Sequence, residues 1–253
     1  MKKKPLTELR KNCNFHILLM GDPGTGKTTV VELINEFFFG YGLTSKSTLE
    51  STTGSSLQAG FKGQTGHLVR AIAVKAYGGV LFIDEAHSIA QDVNDEFGKQ
   101  ALSTLLAEME NNRDKLIVVF AGYKAQLQAL MQVDPGLSSR FPTDNHIEMS
   151  LLTLEEMGEI AFRRSKAAGC DFEEGLQEKL VETWKQKYST FEMKQQNGRL
   201  PRNELESAMS RMAKRKDHNN RLIAADFLIS ESEKEKKKRA REEVDRKSHT
   251  FFE

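Results

Sequence analysis

Short apolar runs alternate with segments of helical periodicity over the first 150 residues of the chain. Val80–Asp84 and residues 116–121 are continuous apolar runs of the kind found in strands buried on both faces. Weaker strand patterns occupy residues 15–20, 49–53 and 145–149, and helical patterns follow residue 28 and occupy residues 64–77 and 96–111. Strands that alternate with helices predict an α/β fold with a mostly parallel sheet and helices on both faces.

The pattern changes after about Leu151, because helical periodicity continues without a strand pattern. Thr153 and the acidic residues after it indicate a helix start, and further helices are predicted over residues 172–188 and 201–216. The sequence therefore predicts four segments: a basic N-terminal segment (1–13), an α/β domain (14–151), a small all-helical domain (152–229) and a charged tail (230–253).

A glycine-rich loop lies between the first predicted strand and its helix. Residues 21–28, GDPGTGKT, fit the P-loop pattern G-x-x-x-x-G-K-[ST] in the required context of strand before and helix after. Glycines allow successive backbone N–H groups to turn toward phosphate oxygens at the positive end of the helix. Lys27 is then placed for the β- and γ-phosphates and Thr28 for Mg²⁺. The loop residues predicted to bind the nucleotide are Asp22, Pro23, Gly24, Thr25, Gly26, Lys27, Thr28 and Thr29.

An acidic pair ends the strand over Val80–Asp84. Asp84 is the predicted Mg²⁺ ligand, acting through the ion's water shell, and Glu85 is the predicted group that polarises the attacking water. The alternative is an acidic pair that only caps the following turn.

The letters DEAH at residues 84–87 also occur in helicases, which need a second nucleotide-binding lobe. The residues after 151 are too few and too helical for such a lobe. We therefore interpret the match as coincidental and expect His87 to be a surface or hinge residue.

Composition and charge limit the classes of partner and the cell compartment that we expect for this protein. The formal net charge is +1, which provides no overall field for nucleic acid, and no apolar run is long enough to span a bilayer. Cys13 and Cys170 are far apart in sequence, so we expect reduced thiols in a cytoplasmic protein. Residues 236–241, KKKRAR, leave nuclear import as an alternative to a solvated charged helix.

Five segments occur in a familiar order: GDPGTGKTT, GGVLFIDEAHSIA, FGKQALSTLLAEMENNRDKLIVVFAGY, DPGLSSRF and NGRLPRNELESAM. Together they resemble the CbbX/CfxQ branch of AAA+ ATPases, which includes Rubisco activases and the stage V sporulation protein K type. The resemblance covers residues 14–212. It implies a P-loop AAA+ core with a five-stranded sheet, a helical lid, ATP and Mg²⁺ as cofactors, and a homo-oligomeric ring, usually of six subunits.

The resemblance also implies roles for three arginines. Arg140, in SSRF, matches the arginine finger, which reaches the γ-phosphate bound by a neighbouring subunit. Arg199 matches the lid arginine known as sensor 2, and Arg202 is its alternative one helical turn later. Each could instead be a solvated surface arginine.

Residues 60–66, GFKGQTG, match the pore loop of this branch, with Phe61, Lys62 and Gly63 at the tip. The match implies that Phe61 grips a polypeptide in the central channel. The alternative is that Phe61 folds back onto the sheet of its own subunit.

The sequence departs from many AAA+ proteins in two places. The fourth strand leads into Tyr123 rather than an asparagine, so Tyr123 is the candidate for the polar group called sensor 1. The adenine-contacting segment that precedes the first strand in the family has no recognisable counterpart in residues 1–13, which is also expected of a fragment of a longer protein.

The leading functional prediction is an ATP-hydrolysing protein that remodels an unknown client protein or complex. Two alternatives belong to other classes: a nucleic-acid-associated AAA+ loader and a nucleotide-binding scaffold with impaired hydrolysis. The scaffold is disfavoured because all four residues assigned to hydrolysis are present: Lys27, Thr28, Asp84 and Glu85. The small net charge speaks against nucleic acid.

Overall fold

The strands of the N-terminal unit are β1 (Ile17–Gly21), β2 (Leu49–Thr53), β3 (Val80–Asp84), β4 (Ile117–Gly122) and β5 (His146–Met149). They form one sheet in the order β2-β3-β4-β1-β5, and every neighbouring pair is parallel. The unit thus has the predicted α/β fold, with the sheet parallel throughout rather than mostly so.

The computed structural model describes residues 13–59, 63–90, 95–215 and 220–227, and the chain divides into two units between Leu151 and Leu152. The helices of the first unit are α1 (Lys27–Gly40), α2 (Thr65–Lys75), α3 (Glu96–Asn111), α4 (Lys124–Val133) and α5 (Pro135–Arg140). Short 3₁₀ turns cover Ser55–Leu57, Ala86–Ile89 and Thr143–Asn145.

The central strands are buried on both faces because their side chains alternate between two apolar clusters. In β3, Leu81 and Ile83 join one cluster, whereas Val80 and Phe82 join the other. The first cluster lies under α2 and α3, and the second lies under α1. The continuous apolar runs in the sequence therefore reflect a sheet covered by helices on both sides.

Two predicted strands, one of strong and one of weak pattern, and one predicted helix have the limits expected from the sequence. The strands over Val80–Asp84 and Leu49–Thr53 and the helix over Glu96–Asn111 are confirmed at their predicted limits. The sequence patterns gave no prediction for α4 and α5, which fill the chain between β4 and β5. Asp134 begins α5 by accepting a hydrogen bond from the Gly136 backbone N–H at 2.6 Å, and Pro135 occupies the first helical position.

The second unit contains five helices among its described residues: α6 (Leu154–Ala167), α7 (Leu176–Lys187), α8 (Thr190–Gln196), α9 (Arg199–Lys214) and α10 (Ala224–Phe227). The predicted threonine cap is present, since Thr153 and Glu156 form a capping box at the start of α6. A second capping box, of Ser189 and Glu192, begins α8, which the sequence analysis did not predict.

The second unit is helical as predicted, with one short strand pair in addition among its described residues. Two residues of β6 (Asp171–Phe172) pair in parallel with two of β7 (Arg221–Leu222). The predicted helix over residues 172–188 accordingly begins later, at Leu176. Two-residue strands have no detectable period, so the sequence pattern could not reveal them.

No helix in the described ranges is long and apolar enough to cross a bilayer.

A buried ionic group lies in the second unit. Lys187 and Glu204 are joined at 2.6 Å, and their side chains are 8% and 7% exposed. The Tyr188 hydroxyl also donates to Glu204. Burial and this hydrogen bond raise the pKa of the Tyr188 phenol. The charges are compensated locally, which is the condition for keeping a carboxylate in a core.

Glu204→Gln should lower the free energy of unfolding of the second unit by about 3 kcal/mol, because it leaves the Lys187 ammonium buried without its counter-charge. Trp184, the single tryptophan of the chain, is fully buried in this unit, so its fluorescence during denaturant unfolding measures the effect. Glu206→Gln, on the exposed side of α9, is the matched control and should change stability by less than about 0.5 kcal/mol. Equal effects of the two variants would contradict this account.

Candidate functional site

The P-loop has the backbone geometry of an anion cradle. Gly24 and Gly26 adopt φ values of 75° and 88°, and Gly26 directly precedes the first residue of α1. A side chain at Gly26 would meet nothing within 4 Å, so the positive φ, rather than lack of space, explains the glycine. The N-terminus of α1 thereby presents unpaired backbone N–H groups and the positive end of its dipole.

Side chains of the loop fix its shape from within. The Lys27 ammonium donates to the carbonyl oxygens of Gly21 and Asp22, each at 2.9 Å, and the Thr25 hydroxyl donates to Asp22 at 2.8 Å. Thr25 is buried, and it would lie 2.9 Å from any side chain at Gly21. The loop is therefore held in a compact turn with the ammonium folded over its carbonyl groups.

The remaining predicted loop residues face solvent to different degrees. Asp22, Thr28 and Thr29 are exposed, while Pro23 and Gly24 are partly exposed. The accessible Thr28 hydroxyl follows Lys27 in the first turn of α1, which suits a ligand for a phosphate-bound cation.

Asp84 and Glu85 stand at the carboxyl end of β3. The Asp84 carboxylate accepts a hydrogen bond from the Glu85 backbone N–H at 2.9 Å. Glu85 is exposed and has a positive φ of 48°, a strained conformation for a residue that is not glycine. Its carbonyl accepts two bonds of 2.8 Å from Ser88, which hold this conformation in place.

Gly54 permits this turn to form beside β2. Its backbone N–H donates to the Asp84 carbonyl at 2.9 Å, and a side chain there would lie 2.6 Å from the Glu85 carbonyl oxygen. Two backbone segments therefore meet where only glycine fits.

Sheet topology brings the loop and the acidic pair to the same edge. β1 and β3 both pair in parallel with β4, so their carboxyl ends lie two strand spacings apart, about 10 Å. The oxygen atoms of Thr28 and Asp84 are hard ligands of the kind that Mg²⁺ prefers. Within the described ranges no group of three His, Cys, Asp or Glu residues could hold a metal ion alone. This donor set fits Mg²⁺ bound with phosphate, for which one or two protein ligands suffice.

Tyr123 lies beside this edge, directly after β4. The Lys27 ammonium is 5.9 Å from the centre of its ring, and the His87 ring is 6.2 Å away, centre to centre. Tyr123 is 38% exposed. The structure thus places the sensor 1 candidate next to the P-loop lysine.

His87, expected to be a surface or hinge residue, is partly exposed and lies in the turn after β3. Its Nδ1 atom is buried without a hydrogen-bond partner among the described residues, and it would lie 3.3 Å from a side chain at Gly122. The turn Ala86–Ile89 directs the imidazole toward the end of β4 rather than outward. His87 links the acidic turn to the strand that carries Tyr123.

Arg140 lies at the opposite end of β1 from the P-loop. Asn14, three residues before β1, donates from its side-chain amide to the Arg140 carbonyl at 2.6 Å. β1 alone spans about 13 Å from Ile17 to Gly21. About the length of β1 therefore separates the Arg140 backbone from the P-loop of its own chain.

Arg140 is also largely buried. Its side chain is 18% exposed, and Nη2 contacts a carboxylate oxygen of Glu110 at 3.1 Å. The sequence analysis missed Glu110. It belongs to the segment MENNRD, but no motif indicated that a residue 30 positions earlier would meet Arg140.

Arg199 and Arg202 are described within the second unit. Arg199 is the first residue of α9 and is exposed. Arg202 is 49% exposed and lies 3.9 Å from Glu206, one turn later on the same helix. Asn197 precedes the helix in a strained conformation (φ 43°) and is fully buried, accepting a bond from the Leu152 backbone N–H at 3.1 Å. Asn197 thus fixes the start of α9, where Arg199 stands.

Three residues of the predicted pore loop, Gly60, Phe61 and Lys62, lie outside the described residues. Gly63 is described, with φ of 85° and open space around its Cα. A glycine conformation is therefore required next to the loop tip.

The chain is similar in sequence to several bacterial proteins. Stage V sporulation protein K of Bacillus subtilis is 33% identical over 223 residues, which are 87% of this chain and 68% of that protein. The ESX-1 secretion system protein EccA1 of Mycobacterium tuberculosis is 40% identical over 149 residues, 58% of this chain. The chain spans about a quarter (26%) of the length of EccA1.

Two solved structures share the fold. A mutant of RuvB from Thermotoga maritima aligns over 88% of this chain and 64% of its own, with a TM-score of 0.59 and 20% identity. The AAA domain of FIGL-1, solved with ADP, aligns over 87% of this chain and 75% of its own, with a TM-score of 0.54 and 21% identity.

The model of the ATPase family associated with various cellular activities (AAA) matches residues 17–151. These residues contain the five-stranded sheet, the P-loop and the acidic pair. The predicted likeness to the stage V sporulation protein K type is confirmed as well. The chain belongs to the AAA family of ATPases.

Proposed function

We propose that this chain hydrolyses ATP to ADP and phosphate as part of a homo-oligomeric ring, which we take to be a hexamer, and that it couples hydrolysis to the remodelling of a client protein. The observation that carries the proposal is the placement of Arg140 at the end of β1 remote from the P-loop. An arginine finger in that place serves the nucleotide of a neighbouring subunit.

The chemistry follows from the edge where β1 and β3 end. The P-loop N–H groups and Lys27 bind the phosphates, and Thr28 and Asp84 hold Mg²⁺, which neutralises phosphate charge. Glu85 orients and polarises the attacking water, while Tyr123 lies near Lys27 to contact the γ-phosphate side of the site. Arg199, with Arg202 as the alternative, contacts the nucleotide from the second unit of the same subunit.

Coupling to a client rests on the loop over residues 60–66. We propose that Phe61 grips the client polypeptide in the pore, assisted by Lys62 and by the freedom of Gly63. A large apolar ring holds chains of differing sequence by packing rather than by hydrogen-bond readout. The names of the relatives, a sporulation protein and secretion-system proteins, suit work on protein assemblies. A cytoplasmic location, suggested by the free thiols of Cys13 and Cys170, belongs to the proposal.

Glu85→Gln should bind ATP with near wild-type affinity and hydrolyse it at least about 100-fold more slowly, because the amide cannot polarise water. Lys27→Ala should instead lose ATP binding, since the phosphates lose their fixed counter-ion. Titration with a fluorescent nucleotide and an assay of phosphate release separate the two effects. Hydrolysis by Glu85→Gln at a near wild-type rate would show that another group activates the water.

Arg140→Ala should keep ATP binding and lose about 1,000-fold in kcat, and wild-type activity per subunit should rise steeply with protein concentration. Mixing Arg140→Ala with Lys27→Ala should restore part of the activity, because some boundaries then combine an intact P-loop with an intact finger. The readout is phosphate release against mixing ratio. Concentration-independent activity of a wild-type monomer would rule out action between subunits.

Phe61→Ala should leave basal ATP turnover within a few-fold of wild type but abolish stimulation by the client and its remodelling, whereas Phe61→Tyr should retain both. A client can be captured by the ATP-bound Glu85→Gln protein and then used in the assay. Lys62→Ala is the control that separates the alternatives. A nucleic-acid loader would be affected more by Lys62→Ala than by Phe61→Ala, with a loss that depends on salt.

A further inference from the structure

One carboxylate oxygen at the end of α3 serves two arginines. Glu110 Oε2 accepts from Arg113 Nη2 at 2.8 Å and from Arg140 Nη2 at 3.1 Å. The side chains of Glu110 and Arg113 are 45% and 51% exposed, whereas that of Arg140 is 18% exposed. The predicted finger is therefore held inside its own subunit by a group at the surface.

The other donors of Arg140 bond within α5 or lack a partner among the described residues. Nη1 donates to the Gly136 carbonyl at 3.0 Å and to the exposed Ser139 hydroxyl at 3.4 Å, and Nε is buried without a hydrogen-bond partner among the described residues. A guanidinium binds phosphate best through two parallel N–H groups. The bond from Nη2 to Glu110 occupies one of those donors, so it competes with phosphate.

Arg113 provides Glu110 with an alternative partner. It gives Glu110 the shorter of the two bonds, and this hydrogen bond is the main reason that the pKa of the Glu110 carboxyl is lowered. When Arg140 leaves, the Glu110 charge remains paired. Because Glu110 is half-exposed, solvent screens its pair with Arg140, and the release of Arg140 requires little free energy.

We propose that Glu110 restrains Arg140 and holds the finger within its own subunit. The restraint ends when Glu110 pairs with Arg113 alone and Arg140 turns to the neighbouring nucleotide. The inference rests on the proposed role of Arg140 between subunits. It adds a control of that role by two residues, Glu110 and Arg113.

The restraint requires effects of opposite sign. Glu110→Gln removes the charge that attracts Arg140, so kcat for ATP should rise about two- to fivefold with KM unchanged. Arg113→Ala leaves Glu110 to Arg140 alone, so kcat should fall by a similar factor. A merely structural role of the cluster would lower kcat in both variants.

The experiment measures steady-state ATP hydrolysis of the full chain at saturating protein concentration. Glu182→Gln is the matched control, because Glu182 forms a comparable exposed pair with Lys185 at 2.9 Å in the second unit, and it should leave kcat unchanged. In an Arg140→Ala background, neither Glu110→Gln nor Arg113→Ala should alter the residual rate, since the finger they act on is gone.

The outcomes distinguish the proposed role of Arg140 from its proposed restraint by Glu110. Wild-type kcat in Arg140→Ala alone would show that the proposed function is wrong about the finger. If Arg140→Ala is inactive but Glu110→Gln lowers kcat or leaves it unchanged, the restraint is overturned while the finger stands. A rise in Glu110→Gln without a fall in Arg113→Ala would overturn the exchange with Arg113.

Discussion

The parallel pairing of β1 and β3 with the same strand, β4, is the constraint on which the candidate site depends. The register pairs Met20 with Gly122 and Ile83 with Phe120, so the three strands end together. Burial of both faces keeps this register, because a one-residue slip would move every side chain to the opposite face. The P-loop, the acidic pair and Tyr123 meet because they follow strands that end at one edge.

The same sheet keeps Arg140 away from that edge. Arg140 ends a helix that leads into β5, and strand β5 runs parallel to β1, so the residues before it lie at the amino ends of the strands. The Asn14 side-chain amide donates to the Arg140 carbonyl. The backbone carbonyl of Asn14 accepts a hydrogen bond from the Asn145 side chain at 2.9 Å. The parallel sheet thus separates the phosphate-binding edge from Arg140, so the role proposed for Arg140 requires the nucleotide of a second copy.

The backbone is strained at Glu85, at the edge of the sheet that carries the candidate site, and neighbouring residues hold it in that conformation. Glu85 has an unfavourable backbone conformation, held by hydrogen bonds from Ser88 and by the close approach of Gly54. Such strain persists where neighbouring structure fixes it, and it places the Glu85 side chain outward at the end of a strand whose other residues are buried. The imidazole of His87 connects this turn with Gly122 and Tyr123.

The sequence alone determined the features that are local in the chain. The P-loop requires glycines at fixed positions between a strand and a helix, and the strands over Val80–Asp84 and Leu49–Thr53 were predicted at their observed limits. The family resemblance added a role for Arg140, and family membership follows from the matched model. The P-loop and the strand over Val80–Asp84 could be predicted because backbone conformation and burial of a central strand leave a pattern within a few residues, whereas Leu49–Thr53 is an edge strand with a weaker pattern.

Tertiary structure decided what depends on residues distant in sequence. It placed Arg140 against Glu110 and Asn14, turned His87 toward Gly122, and paired two residues at Asp171–Phe172 with two at Arg221–Leu222. None of these contacts has a period or a spacing that a sequence could show. A side chain's partner across 30 or more positions is set by how the strands and helices pack, and packing is a property of the folded chain.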